Sequence, residues 1–368
     1  MRETPFKLPL FPGVDVAKLA RVFDDTTQCY KYLFFRALLE QFNQTDSLAI
    51  SLGEILAGMI EAAWWPVMHY RLTIGVGHGV HRMRELVESQ SQDPDESFRL
   101  IDVRQYAACV AAENIDREIS RGVLRYVPMR FLKPWLEEVT DRQIDAYVGR
   151  LLPADAEARG LPYRVIDRRF VELSAAWADY FRANMPILKA WADLHWLDWM
   201  QARNPNVAIG LEKLGPPLDR QSLARQTAFL RAALAAETAP KCIFTDQPLD
   251  PGRIALDHFI PRTYIGHDRI WNLVPITPEI NSKKGARLPR VEAVDRLAAF
   301  HSQAIEFGRH GHIPNWTRFS DEYASDLRLS PDEIGDTARL VDAYRGTIIP
   351  MLTIAKRMGF PADWPPRT

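Results

Sequence analysis

Three cysteines, Cys29, Cys109 and Cys242, are all that the 368 residues contain. Odd in number and far apart, they give neither a disulfide framework nor a four-ligand zinc site, and a reducing cytoplasm is the expected location. No apolar run is long and clean enough for a bilayer. The best, Leu48 to Trp65, is interrupted by Glu54 and Glu61 and followed by Pro66, so it reads as a buried helix and no membrane contact is expected. Met1 to Pro12 carries charge and three prolines without an apolar core, which excludes a secretory signal from the reading. A surplus of charge of one sign is also missing. The net charge is −1, so the chain as a whole lacks the basic excess behind non-specific nucleic-acid binding, and any such contact has to be local.

What is present is material for a large folded core. Hydrophobic residues make up 47% of the chain and ten are Trp, a composition that belongs to globular proteins rather than disordered ones. The length suits two domains, or a catalytic module set in a larger helical body. From Asp24 to Met200 the periodicity is mainly helical. The Asp24-Asp25-Thr26 cluster is placed to cap a helix whose apolar residues Tyr30, Leu33, Phe34, Ala37, Leu38 and Phe42 recur at three and four. Similar helices are expected over Tyr106 to Val123, Asp141 to Leu152 and Val171 to Met200. Turn residues at Asn204 to Asp219 end this region. Further helices are read from Leu218 to Ala236, with Arg220, Arg225 and Arg231 on its polar positions, and from Val291 to Phe307. Ser330-Pro331-Asp332-Glu333 is a start signal for a last helix that Pro350 should kink or end. The predicted architecture is mainly α with a small embedded ββα unit: a helical N-terminal recognition or assembly region over 1–217, the module with its leading helix over 218–290, and a C-terminal helical segment over 291–368.

The segment from Lys241 to Arg290 has a different texture. Ile254 to Leu256 and Leu273 to Ile276 are short apolar runs rich in branched residues, flanked by Gly, Pro and Asp, and they read as two strands joined by a long loop. Pro278 to Lys284 reads as a short helix. A helix packed back across such a hairpin gathers Asp257, His258 and Asn281: a carboxylate, an imidazole and an amide oxygen. Oxygen ligands suit a hard divalent cation, and a neutral imidazole can take a proton from water attacking phosphorus, so the outline is that of a hydrolytic phosphodiesterase site. Eight basic against five acidic side chains give this stretch a local excess of three positive charges, enough for a phosphate-binding face. Arg262 and Lys284 are the residues expected to contact phosphate.

Asp257-His258, Asn272 and Asn281 followed by Lys284-Gly285 resemble, in order and spacing, the HNH or ββα-metal endonuclease family. The resemblance implies Asp257 as metal ligand, His258 as general base, Asn272 as the central residue that fixes loop and base by hydrogen bonding, and Asn281 as second metal ligand. It implies a divalent ion as cofactor, Mg²⁺ first, with Mn²⁺ or another divalent ion as the alternative. Many members carry Cys pairs for a structural zinc; here Cys242 stands alone with Thr245 at the second position, so no structural zinc is expected and Phe244, Leu249, Phe259 and Trp271 must hold the module by packing. By architecture the chain is similar to prokaryotic defence or restriction nucleases. That implies DNA as substrate, with RNA as an alternative, a partner or activating signal at the N-terminal region, and a homodimer if both strands are cut. The resemblance covers about fifty residues.

Blander readings stand beside these. Asp257 and His258 alone would be a surface turn, Asn281 a helix cap, and His267 a hydrogen-bonding loop residue. A non-catalytic module that merely grips nucleic acid would keep the fold without the chemistry. Gly75-Val-Gly-His-Gly, with His69, His78 and His81 nearby, lacks the Lys-Ser/Thr of a phosphate loop, and His310-Gly-His312 lacks a third ligand; both read as loops.

Overall fold

The computed structural model describes residues 7–45, 47–75, 78–89, 100–217, 222–311 and 313–365; for residues 78–81 and 100 only the backbone is described. Arg220, His312 and the side chains of His78 and His81 therefore lie outside the described residues. The chain divides into two compact units, Met1–Pro217 and Leu218–Thr368. Among the described residues no helix is long and apolar enough to cross a membrane.

In the first unit, α1 (Tyr30–Asn43) buries Leu33, Phe34, Ala37, Leu38 and Phe42, as its three-and-four spacing requires. The acidic cluster before it does not cap it. Cys29 stands at the N-cap without a side-chain bond, and Thr26 instead bonds Phe23 O and the Tyr32 hydroxyl. After a short strand β1 (Ala49–Ser51), α2 (Leu52–Trp64) begins with a complete capping box between Ser51 and Glu54. It is buried along Ile55, Leu56, Met59, Ile60 and Ala63 and continues as a wider π turn over Trp65–His69. α3 (Leu100–Arg121) packs on α2.

Asp141 to Leu152 is helical only over Ile144–Val148. The stretch read as helix from Val171 begins in fact as a strand: β2 (Tyr163–Ile166) and β3 (Phe170–Leu173) pair antiparallel, and β3 also pairs β1, with Val171 opposite both Val165 and Ile50. Ser174 then caps α4 (Ala175–Arg203), which carries Pro186 inside it and packs on α1. Its aromatic stripe is core, with Trp191 stacked on Phe23 at 5.0 Å and Trp196 on Trp199 at 5.4 Å.

The second unit opens with α5 (Ala224–Ala235). Strands β4 (Ala255–His258) and β5 (Leu273–Ile276) pair antiparallel, with Asp257 opposite Val274 and His258 opposite Leu273. α6 (Pro278–Lys284) follows at once, its Pro at the first helical position and Thr277 capping Ile280 N–H. α7 (Ala293–His310), α8 (Trp316–Leu327) and α9 (Thr337–Arg357) complete the unit, α7 packing along α9. The Ser330–Glu333 capping box forms, yet it starts only a single 3₁₀ turn. Asp336 caps the long helix, and Pro350 lies within that helix without ending it.

The C-terminal helices hold the hairpin loop from outside. The Glu322 carboxylate accepts from Ile270 N–H at 2.9 Å, Trp271 Nε1 donates to Asp326 at 2.8 Å, and the Tyr344 hydroxyl donates to Trp271 O at 3.1 Å. At the other end, the turn after Lys241 is closed by Cys242 N–H to Gln247 O and Asp246 N–H to Cys242 O. Phe244 stacks on Phe259 at 5.8 Å and meets the edge of Trp364 at 5.0 Å.

Candidate active site

β4 ends at His258, and the loop that leaves it is pinned by Asn272, which is fully buried. The Asn272 carboxamide accepts from Ile260 N–H and donates to Ile260 O, both at 2.9 Å, while its backbone carbonyl accepts from Phe259 N–H at 2.7 Å. Asn272 thus fixes the chain just beyond the imidazole. Its side-chain bonds go to the backbone of Ile260.

The imidazole itself is oriented by a residue that the sequence reading missed. His258 Nε2 lies 2.8 Å from Asp268 Oδ1, and Arg262 Nε donates to the same oxygen at 3.0 Å. The hydrogen bond from His258, reinforced by the charge of Arg262, holds the Asp268 carboxyl below the usual carboxylate range. An ionised carboxylate only accepts, so Nε2 is the nitrogen that donates to Asp268. Nothing local marks Asp268, a loop residue; only the closed hairpin brings it to the ring. His267 stands beside it in the loop. Arg269 N–H approaches its Nδ1 at 3.4 Å, its ring meets Trp271 edge-on at 5.5 Å, and burial pushes its pKa down to about 4.

Asp257 faces the opposite way from a solvated turn. It is buried, and the Lys284 ammonium stands 2.8 Å from its Oδ2 while donating to His258 O at 2.7 Å. This corrects the expectation for Lys284. The residue expected to reach phosphate from the surface is wholly buried, because the last turn of α6 packs against β4 and points its side chain inward. Gly285 ends that helix at φ +47°, a conformation that a side chain would strain. Asn281, three residues before Lys284, shares its helix face and is half-buried. Arg262, the other expected phosphate contact, is about a quarter exposed and commits Nε to Asp268. Lys283 is exposed on α6. An Arg253–Glu279 ion pair ties the approach to β4 to the first turn of α6.

Among the described residues no group of three or more His, Cys, Asp or Glu side chains could hold a metal. A site of Asp257 and Asn281 has one carboxylate and one amide, so water and phosphate oxygens would complete the shell, as suits Mg²⁺. The donor chemistry fits an ion that would compete with the Lys284 ammonium, 2.8 Å from the Asp257 carboxylate.

A two-stranded ribbon and short helix carrying an acid, an oriented imidazole and an amide define the ββα class of nuclease modules. Residues 242–290 match the HNH endonuclease family model, a match confined to this stretch that supports nuclease activity on nucleic acid. No curated protein and no solved structure matches the chain.

Proposed function

We propose that the protein is a metal-dependent endonuclease that hydrolyses phosphodiester bonds of DNA, with His258 as the general base. The observation that carries this is the His258–Asp268 pair within an HNH module: the carboxylate holds Nε2–H and leaves Nδ1 free to accept a proton from attacking water. Asn272 keeps the following loop from drifting, and Lys284 braces the His258 carbonyl. Asp257 and Asn281 would hold the divalent ion, Mg²⁺ or Mn²⁺. Such an ion, when bound, neutralises charge on the phosphorane and the leaving oxygen. Arg262, and the exposed Lys283 in place of the buried Lys284, would meet backbone phosphates. The N-terminal unit would recognise a partner or an activating signal, a division of labour suited to prokaryotic defence or restriction. Double-strand cleavage would call for two copies of the chain.

One observation favours a second reading. The Lys284 ammonium neutralises Asp257 within the protein, as in a module that grips nucleic acid and performs no chemistry. A cleavage panel separates the two: supercoiled, linear and single-stranded DNA, and RNA, with Mg²⁺ or Mn²⁺. Wild type should cut a DNA substrate, and His258→Ala should lose roughly a hundredfold or more. Cleavage of RNA alone would make the enzyme a ribonuclease. Equal behaviour of wild type and His258→Ala on every substrate would remove the catalytic assignment.

A further inference from the structure

The N-terminal unit contains a cavity of about 930 Å³, walled by the segment leading into α1, the end of α3 and the turns after it. Its wall is strongly basic. Lys31, Arg82, Arg117, Arg121, Arg130 and Lys133 line it, against Asp25, Glu85 and Asp141. Two of those carboxylates are already engaged, Glu85 by Arg82 at 2.9 Å and Asp141 by Lys133 at 3.0 Å. Behind the wall, buried Glu118 takes Arg82 Nε at 2.6 Å, and Asp145 stands 3.6 Å from Arg130. Arg117 and Arg121 remain. Among the described residues neither guanidinium has an ion-pair or hydrogen-bond partner, and the two stand one helical turn apart, where like charges repel.

The remaining wall is suited to a flat, less polar group. The Tyr126 ring has its centroid 4.7 Å from Arg130 and 5.2 Å from Arg125, and Val123, Val127 and Ile144 continue the surface. A bare phosphate would occupy a small part of this volume, whereas pockets for nucleotide-sized ligands fall in this range. We propose that the cavity binds a nucleoside polyphosphate, its phosphates against Arg117 and Arg121 and its base against Tyr126 and the apolar wall. The residues belong to a different unit from His258, so this site stands or falls apart from the nuclease reading.

Calorimetric titration of the full chain carrying His258→Ala, in EDTA, tests it with ADP, GDP, CDP and UDP separately, and with pyrophosphate and adenosine as controls. At least one nucleoside diphosphate should bind saturably at one site, at least tenfold more tightly than pyrophosphate or adenosine. Arg117→Glu/Arg121→Glu should weaken it tenfold or more while the ligand-free melting temperature is unchanged. Arg117→Ala/Arg121→Ala serves the same comparison if the charge reversal unfolds the unit. Absence of saturable binding, or undiminished binding by both double variants, would overturn the proposal.

Discussion

On the proposed mechanism His258 works as a base only when its free nitrogen is aimed, and the Asp268 carboxylate, 2.8 Å from Nε2, would do the aiming. Asp268→Asn keeps an acceptor for Nε2–H but removes the charge that both the ring and Arg262 address. Cleavage should fall roughly ten- to hundredfold in kcat with KM little changed, as measured by steady-state kinetics with Mn²⁺; an equal fall in kcat and folded fraction would reduce Asp268 to a structural residue. Lys284 invites the complementary test. Its ammonium and the Asp257 carboxylate are buried together, so Lys284→Met removes the ammonium 2.8 Å from the acid and should cost about 3–5 kcal/mol in urea unfolding. Mn²⁺ should restore part of that loss, about 2.7 kcal/mol at a hundred times its Kd, and should stabilise the variant more than wild type because the ion no longer competes with the ammonium. Stabilisation by Mn²⁺ that is equal in both proteins would place the ion away from Asp257.

At the scale of elements, the hairpin and its helix were legible because their signals are local. Branched residues bounded by Gly and Pro fixed β5 and α6 at Leu273–Ile276 and Pro278–Lys284, while β4 runs to His258, two residues beyond the apolar run, since backbone pairing continues under polar side chains. Asp268 was not legible because its role is created by loop closure. Nor was the failure of the Ser330 box, where both cap bonds form yet the chain turns after Gly335 and Asp336 starts the helix afresh. Asn272 shows what holds the hairpin's loop. Truncation to Ala removes both bonds to Ile260 and leaves a buried N–H and C=O unpaired, so Asn272→Ala should destabilise by about 2–4 kcal/mol. A thermal melt reads this directly, and an unchanged midpoint would show that water replaces the amide.

For the whole molecule, what sequence conveyed falls off with distance along the chain. The 242–290 module could be read from fifty contiguous residues, whereas the β1–β3–β2 sheet pairs Ile50 with Val171 through strands too short to leave a pattern. The C-terminal helices likewise revealed their amphipathic faces but not that they clasp the hairpin loop through Glu322, Asp326 and Tyr344. The same two helices meet α7 at His301. Its Nδ1 lies 2.6 Å from the Tyr323 hydroxyl of α8, and its ring stacks on Tyr344 of α9 at 5.7 Å. Burial pushes the imidazole down to about 3 and both phenols well above their ordinary range, so all three are neutral in the fold. The unfolded chain protonates His301 near its ordinary 6.5, while the folded unit resists until pH approaches 3. The stabilisation is therefore complete above about pH 6.5 and is lost as pH falls, at about 1.4 kcal/mol per pH unit for one proton. Urea unfolding at pH 7 and pH 5, followed by Trp fluorescence, should show His301→Gln losing about 2 kcal/mol less than wild type between the two. His267, depressed in the same direction, contributes equally to both proteins and cancels in the comparison. Identical losses would mean that His301 takes up its proton without unfolding, through an opening of the three-helix cluster that native-state hydrogen exchange at α7 would then reveal.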